Sequence, residues 1–259
     1  MGYAIACTSK NRQAYGWQRN GGIAPYILCD EKDLIALPDE LTYKDGASVS
    51  CGFGTVYEAI EKISVSGDDA VLVVGLGPVG MAALMLCRAM GAEKLIGVEM
   101  NEYRIKMVQD MGLVDHIVRP SDNAVEEIRA LTGGHGVERA IDCSASDAGR
   151  QTAIRATRDW GRVVLVGEGN SLTINPSPDM MHAQKTVYGS WVTSTWRMME
   201  LVEHLVAGVS IRETSSPMSS RLSAQTRLTH GWPAASAARL PLFSRKKNKQ
   251  FGLIGLKRR

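Results

Sequence analysis

The sequence predicts a doubly wound α/β fold built on a six-stranded parallel sheet. Three observations carry that prediction. Between Asp69 and Ala207, short β-branched apolar runs alternate with longer helical patterns, as strands joined by crossover helices do. The runs are apolar almost throughout, as strands covered by helices on both faces can be. Glycines at Gly91, Gly112, Gly133 and Gly161 close successive helical patterns, where a helix C-cap favours that residue.

In chain order, residues 1–40 read as irregular structure with strand-like pieces such as "APYILCD" (24–30). "TYKDGASVSCGFGTVYEAIEKI" (42–63) reads as a helical region interrupted at "CGFG" (51–54). The predicted strands are "AVLVV" (70–74), "KLIGV" (94–98), "DHIV" (115–118), "RAIDC" (139–143), "RVVLVG" (162–167) and "TVYGSW" (186–191). The connecting helical patterns are "VGMAALMLCRAMG", "NEYRIKMVQDMG", "SDNAVEEIRALTGG", "DAGRQTAIRATRDWG" and "SPDMMHAQK", most with apolar residues three to four apart. Right-handed crossovers place these helices on both faces of the sheet. Beyond Gly208 the periodicity fails, and the sequence is rich in Ser, Ala and Arg.

Composition narrows the class. The 259 residues are 44% hydrophobic and 22% charged, enough for one large or two modest globular domains. No apolar run approaches a membrane span, and the N-terminus lacks a secretion-signal pattern, so no membrane partner and a cytoplasmic location are expected. The five cysteines are widely spaced without a C-x-x-C pair, which fits reduced thiols and not a disulfide framework. The net charge of +3 divides unevenly: residues 208–259 carry 11 basic residues against Glu213, and the remainder carries 19 basic against 26 acidic. A basic tail raises the question of nucleic acid, but "SRKKNK" and "KRR" stand without interleaved aromatics or a motif, so no nucleic-acid partner is expected.

The strongest chemical signal is "VLVVGLGPVG" (71–80). Gly75, Gly77 and Gly80 form G-x-G-x-x-G between a predicted strand and a helix that opens with Pro78 and Val79. Gly75 permits a tight turn, Gly77 admits a pyrophosphate close to the backbone, and Gly80 lets helix and strand pack. The helix N-terminus directs N–H groups and a positive dipole end at the phosphates. Glu99, nineteen positions after Gly80 at the end of the second strand, is placed to accept hydrogen bonds from the adenine ribose. Its charge favours NAD over NADP, a preference that Arg104 nearby weakens. Ligands in such sheets sit at the carboxyl ends of strands, which nominates Cys143 with Ser144, and Val166 with Gly167, as walls near a nicotinamide.

From about Gly21 to Val206 the chain resembles the zinc-dependent, medium-chain alcohol and polyol dehydrogenases, through "GGIAPYILCDEKDLIALPDELTYKDGASVSCGFGTVYEA", "VLVVGLGPVGMAALMLCRAMGAEKLIGVE", "LTGGHGVERAIDCSAS", "WGRVVLVGEG" and "VYGSW". The order and spacing of these segments carry the resemblance. It implies a remnant of a GroES-like catalytic domain with a connecting segment (1–50), an NAD-binding Rossmann domain (51–207) and a basic tail (208–259). It also implies hydride transfer between NAD and a secondary alcohol or polyol, with zinc polarising the alcohol oxygen. Cys51 in "SCGFGT" matches a catalytic-zinc ligand, Thr55 a residue beside the nicotinamide, and Cys7 the last cysteine of a structural-zinc lobe. A homodimer through the sheet edge near "TVYGSW" is implied as well.

The departures are as informative. The family's first zinc-ligand cysteine and its G-H-E segment would lie upstream of Met1, so the chain is expected to be an N-terminally truncated member. A catalytic zinc needs about three protein ligands, and Cys51 stands alone as a candidate, with a buried, unmetallated thiol as its competing expectation. Where the family closes with a segment like "GKCGKVAV", this chain reads "AASAARLPL" (234–242). Permissible codons for those residues spell the family segment when read two nucleotides on, and "ETSSPMSS" (213–220) yields "DLITHVF" with the same offset. Residues from about Gly208 are therefore expected to be out-of-frame translation. Two readings stay open, a zinc-type, NAD-dependent oxidoreductase retaining mainly its cofactor-binding half and a catalytically inactive NAD-binding fragment, with nucleic-acid binding through the basic tail as a remote third.

Overall fold

The computed structural model describes residues 7–210. Of the basic tail read from Gly208, with its frameshift reading, the residues beyond Ser210 lie outside the described residues. Among the described residues, six parallel strands form one sheet: β1 (Ala70–Val74), β2 (Lys94–Val98), β3 (His116–Val118), β4 (Val137–Asp142), β5 (Thr157–Leu165) and β6 (Thr186–Gly189). Their order is β3-β2-β1-β4-β5-β6, with every neighbouring pair parallel. The chain winds outward from β1 to β3, returns beside β1 as β4, and winds outward again. The β1–β4 seam is thus the point where strand order reverses.

The α-helices among the described residues are α1 (Tyr43–Ser48), α2 (Gly54–Ile63), α3 (Pro78–Ala89), α4 (Glu102–Asp110), α5 (Ala124–Ala130), α6 (Asp147–Ala156) and α7 (Thr195–Ser210). Alternation along β1 separates two cores, as the two-residue period of a strand requires. Val71 and Val73 face a cluster with Ile60 of α2, Leu84 of α3, Val108 of α4 and Leu201 of α7. Leu72 and Val74 face Ile128 of α5 and Ile154 of α6. Helices therefore cover both faces, which explains strands apolar on both sides.

Three sequence expectations are corrected. The helix of residues 42–63 is not interrupted at "CGFG": it widens into a π-helical turn at Val49–Phe53 and continues as α2, because Val49 and Phe53 both reach the core from that turn. "APYILCD" forms no strand; among the described residues it has no strand to pair with, and Tyr26 and Leu28 are exposed. Helix α6 ends at Ala156, not Gly161, because Thr157 takes extended backbone and pairs with Val137, its hydroxyl donating back to the Ala153 carbonyl at 2.7 Å. The left-handed residue there is Trp160, while Gly161 is buried against Thr157. Helix α7 runs to Ser210.

The packing makes a direct prediction. Ile96 in β2 is fully buried, so Ile96→Ala should lower the unfolding free energy by about 2–5 kcal/mol in urea denaturation.

Candidate functional site

The carboxyl edge of the sheet gathers the predicted residues around the β1–β4 seam. Gly75 follows β1 in left-handed backbone (φ +85°) and donates its N–H to the Val98 carbonyl at 2.8 Å. A Cβ there would fall 2.7 Å from the Ser144 Cα, so a side chain would force the two turns apart. A Cβ on Gly80 would run into the Gly75 carbonyl oxygen, which fixes how tightly α3 closes on the turn. Gly77 is different. It is the N-cap of α3, no side chain caps that helix, and Pro78 occupies its first turn. The nearest atom to a Cβ on Gly77 would be Nη1 of Arg104 at 3.9 Å, so this face of the turn is open for a ligand to approach. Val79 is partly buried against the core.

Glu99 is buried yet fully used. Its Oε2 accepts from the Leu76 amide at 2.9 Å and from Arg104 Nη1 at 3.3 Å. Its Oε1 accepts from the Met100 and Asn101 amides at 2.8 and 3.0 Å. Burial pushes this carboxyl's pKa up, but the amides of Asn101, Met100 and Leu76 and the Arg104 side chain outweigh it and hold the pKa below the usual glutamate range. Glu99 thus joins the glycine turn to the start of α4. A ribose hydroxyl reaching it would meet the Arg104 guanidinium, which is half-exposed.

On the other side of the seam, the Cys143 amide donates to the Val74 carbonyl at 2.8 Å. Asp142, with no exposure, accepts from the Ser144 amide and hydroxyl at 3.0 and 2.6 Å. Its carbonyl receives the amides of Val166 and Gly167 at 2.9 and 3.0 Å, so the ends of β4 and β5 are tied together. Burial, with Asp142 beside it, raises the Cys143 thiol's pKa far above the ordinary thiol range. Sequence reasoning missed Asp142 and, on α6, Arg150, whose guanidinium lies 3.4 Å from Asp142. The only signal for Asp142 was an acidic residue at the carboxyl end of the strand, after the apolar pair Ala140 and Ile141.

Thr55 and Cys51 sit on the neighbouring α1–α2 helix, which packs against α3. Thr55 is half-buried, and Cys51 is exposed rather than buried, because it lies between the two core-facing residues of the π-helical turn. Among the described residues, no group of three or more His, Cys, Asp or Glu side chains is arranged to hold a metal ion. Those residues do not fit a zinc site. No helix among them is long and apolar enough to cross a membrane. A cavity of about 680 Å³ opens at the opposite, amino edge of the sheet. Three of the charged groups lining it are turned on the protein itself: Lys94 on the Leu131 carbonyl, and Glu138 on Arg158 and the Ala70 amide.

Strand order, glycine turn and acidic residue after β2 together define a doubly wound α/β domain of the dinucleotide-binding type. Comparison with known proteins makes this specific. The family described as zinc-binding dehydrogenase matches residues 78–207, half of the chain, and the chain belongs to that family. It is 48% identical over 204 residues to the uncharacterized zinc-type alcohol dehydrogenase-like protein YphC of Escherichia coli, covering 79% of this chain and 58% of that protein. It is 33% identical over 172 residues to (R,R)-butanediol dehydrogenase of Bacillus subtilis, covering 65% of this chain and 48% of that one. Among solved structures, the alcohol dehydrogenase of Aeropyrum pernix superposes with a TM-score of 0.70 at 25% identity, covering 80% of this chain and 60% of that one. The chain thus spans about half to three fifths of the length of these relatives.

The Glu99 cluster predicts an acid-side stability effect. A carboxyl whose pKa is lowered on folding contributes stability that is present above its unfolded value, near 4.5, and is lost as pH falls through the lower folded value. The stability advantage of wild type over Glu99→Gln should therefore be large at pH 7 and shrink as the pH is lowered below about 4.5 in parallel urea titrations.

Proposed function

We propose that this chain is the cofactor-binding half of an oxidoreductase that transfers hydride between NAD and a secondary alcohol or polyol. The observation that carries the reading is the glycine turn. It is closed on itself by Gly75 and Gly80, open at Gly77, and joined through the Leu76 amide to an ionised Glu99. The pyrophosphate of NAD would lie along Gly77, Pro78 and the first turn of α3. The adenine ribose would reach Glu99 and Arg104, and the nicotinamide would reach Cys143, Val166, Gly167 and Thr55. Such a cofactor supplies reversible hydride transfer; the residues here bind and orient it. The relatives, an alcohol dehydrogenase and a butanediol dehydrogenase, support an alcohol as substrate class.

The proposed division is a remnant of a catalytic lobe with connecting segment over 1–50 and the NAD-binding domain over 51–207. As a partner we propose a second copy joined through β6, the outer strand of the sheet on that side, and as location the cytoplasm. The described residues assemble no metal-ligand cluster around Cys51, and this favours a second reading, a chain that binds NAD without turning over alcohol.

A fluorescence titration with NADH tests the cofactor reading. Wild type should bind saturably and prefer NADH to NADPH. Gly77→Val, which fills space that the fold leaves open, should keep the wild-type unfolding transition and lose affinity by more than about tenfold. Equal affinity in the two proteins would sink the proposed phosphate position.

A further inference from the structure

The loop that follows β5, residues 167–171, has backbone that does not hold itself. Gly169 takes φ +97° and Asn170 φ +52°, the second a conformation that side-chain-bearing residues disfavour. The carbonyls of this loop turn inward and converge on one buried group, the guanidinium of Arg150. Its Nη2 donates to the carbonyls of Gly167 and Gly169 at 2.8 and 2.6 Å. Nη1 donates to those of Asn170 and Ser171 at 3.1 and 2.8 Å. Nε donates to Asp142 Oδ2 at 3.4 Å. A guanidinium has five N–H donors in a planar fork, and each of the five has an acceptor here. Arg150 is 7% exposed and Asp142 is fully buried, so the arrangement stands out of competing water.

We propose that Arg150 is a positioning residue that holds loop 167–171 as a preformed wall on the nicotinamide side of the cofactor site. This rests on the NAD reading above. Asp142 lies at the carboxyl end of β4, directly before Cys143, and its carbonyl also receives the Val166 and Gly167 amides. The Asp142–Arg150 pair therefore fixes the loop relative to the β1–β4 seam, where the glycine turn is packed. A lysine could not replace the fork: an ammonium is a point charge with three donors and cannot address four carbonyls and a carboxylate spread over a plane. The loop would keep its sequence and lose its single shape, and the ligand would have to order it on binding, at a cost in affinity.

The consequence is selective by ligand part. ADP-ribose carries the groups expected at Gly77 and Glu99 but no nicotinamide; NADH carries both. In the full chain, Arg150→Lys should bind ADP-ribose within about twofold of wild type and NADH about tenfold more weakly. Proteolysis with a glutamate-specific endoprotease reads the loop without any cofactor, because Glu168 lies inside it and is exposed. In wild type the bond after Glu168 should be cut at least about tenfold more slowly than the bond after Glu40, an exposed turn residue, and in Arg150→Lys that protection should be lost. The proposal is overturned if NADH and ADP-ribose affinities fall by one common factor, if neither changes, or if wild type is cut after Glu168 as fast as after Glu40. That last measurement needs no variant, so it decides even if Arg150→Lys fails to fold. A wild-type chain that binds neither ligand overturns the NAD reading itself, and with it the nicotinamide role of the loop; slow cutting after Glu168 would then still mark the loop as rigid.

Discussion

The carboxyl edge of this sheet depends on how closely the turn after β1 approaches the turn after β4. Two strands adjacent in the sheet but distant in sequence must each leave the plane at the same level, one toward α3 and the other toward α6. With Gly75 in left-handed backbone and no Cβ against Ser144, the two turns touch directly. Any side chain at Gly75 would open that contact, and Gly80 would then lose its register on the Gly75 carbonyl. The turn, the helix start and the seam form one mechanical unit. Gly77 lies within that unit with its own outer face left open.

Two buried carboxylates extend that unit outward, one to each side. Glu99 takes amides from the glycine turn and from the start of α4, so β2's end, the turn and α4 share one anchor. Asp142 acts in the same way across β4, β5 and α6, with Ser144 on one oxygen and Arg150 on the other. A buried charge is tolerable only when its lone pairs are met, and in both cases donors come from different elements. Removing a donor would therefore do more than lose a hydrogen bond; it would leave a charge uncompensated and release a loop.

Much of the fold was legible in the sequence because its signals are local. A β-branched run buried on both faces needs no partner to be recognised, and all six strands fell close to their predicted runs. Gly91, Gly112 and Gly133 mark helix ends with left-handed backbone as read. The misreading at Gly161 arose where a tertiary pairing, Thr157 with Val137, overrode a helix-ending pattern that local spacing favoured. Likewise, a helix can absorb "CGFG" by widening when both flanking apolar residues find the core, and nothing within the segment announces that. In the candidate site, the glycines and Glu99 were readable from their spacing, whereas Arg150 was not. On a helix that also carries Asp147 and Arg155 it looks like any solvated arginine, and its carbonyl acceptors lie 17 to 21 residues away in a loop.

These commitments also limit what the edge can do chemically. Glu99 is held ionised by four donors, and the Cys143 thiol is held protonated by burial and by Asp142 beside it. Asp142 is engaged on both oxygens. Glu99 cannot exchange a proton at neutral pH without breaking the contacts that shape the turn. Rigidity and proton transfer make opposite demands on a buried acid: the first wants every lone pair occupied, the second wants one vacant. At this edge the first demand has been met for Glu99, whose two oxygens take four donors. The physical character of the carboxyl edge is therefore that of a rigid holder.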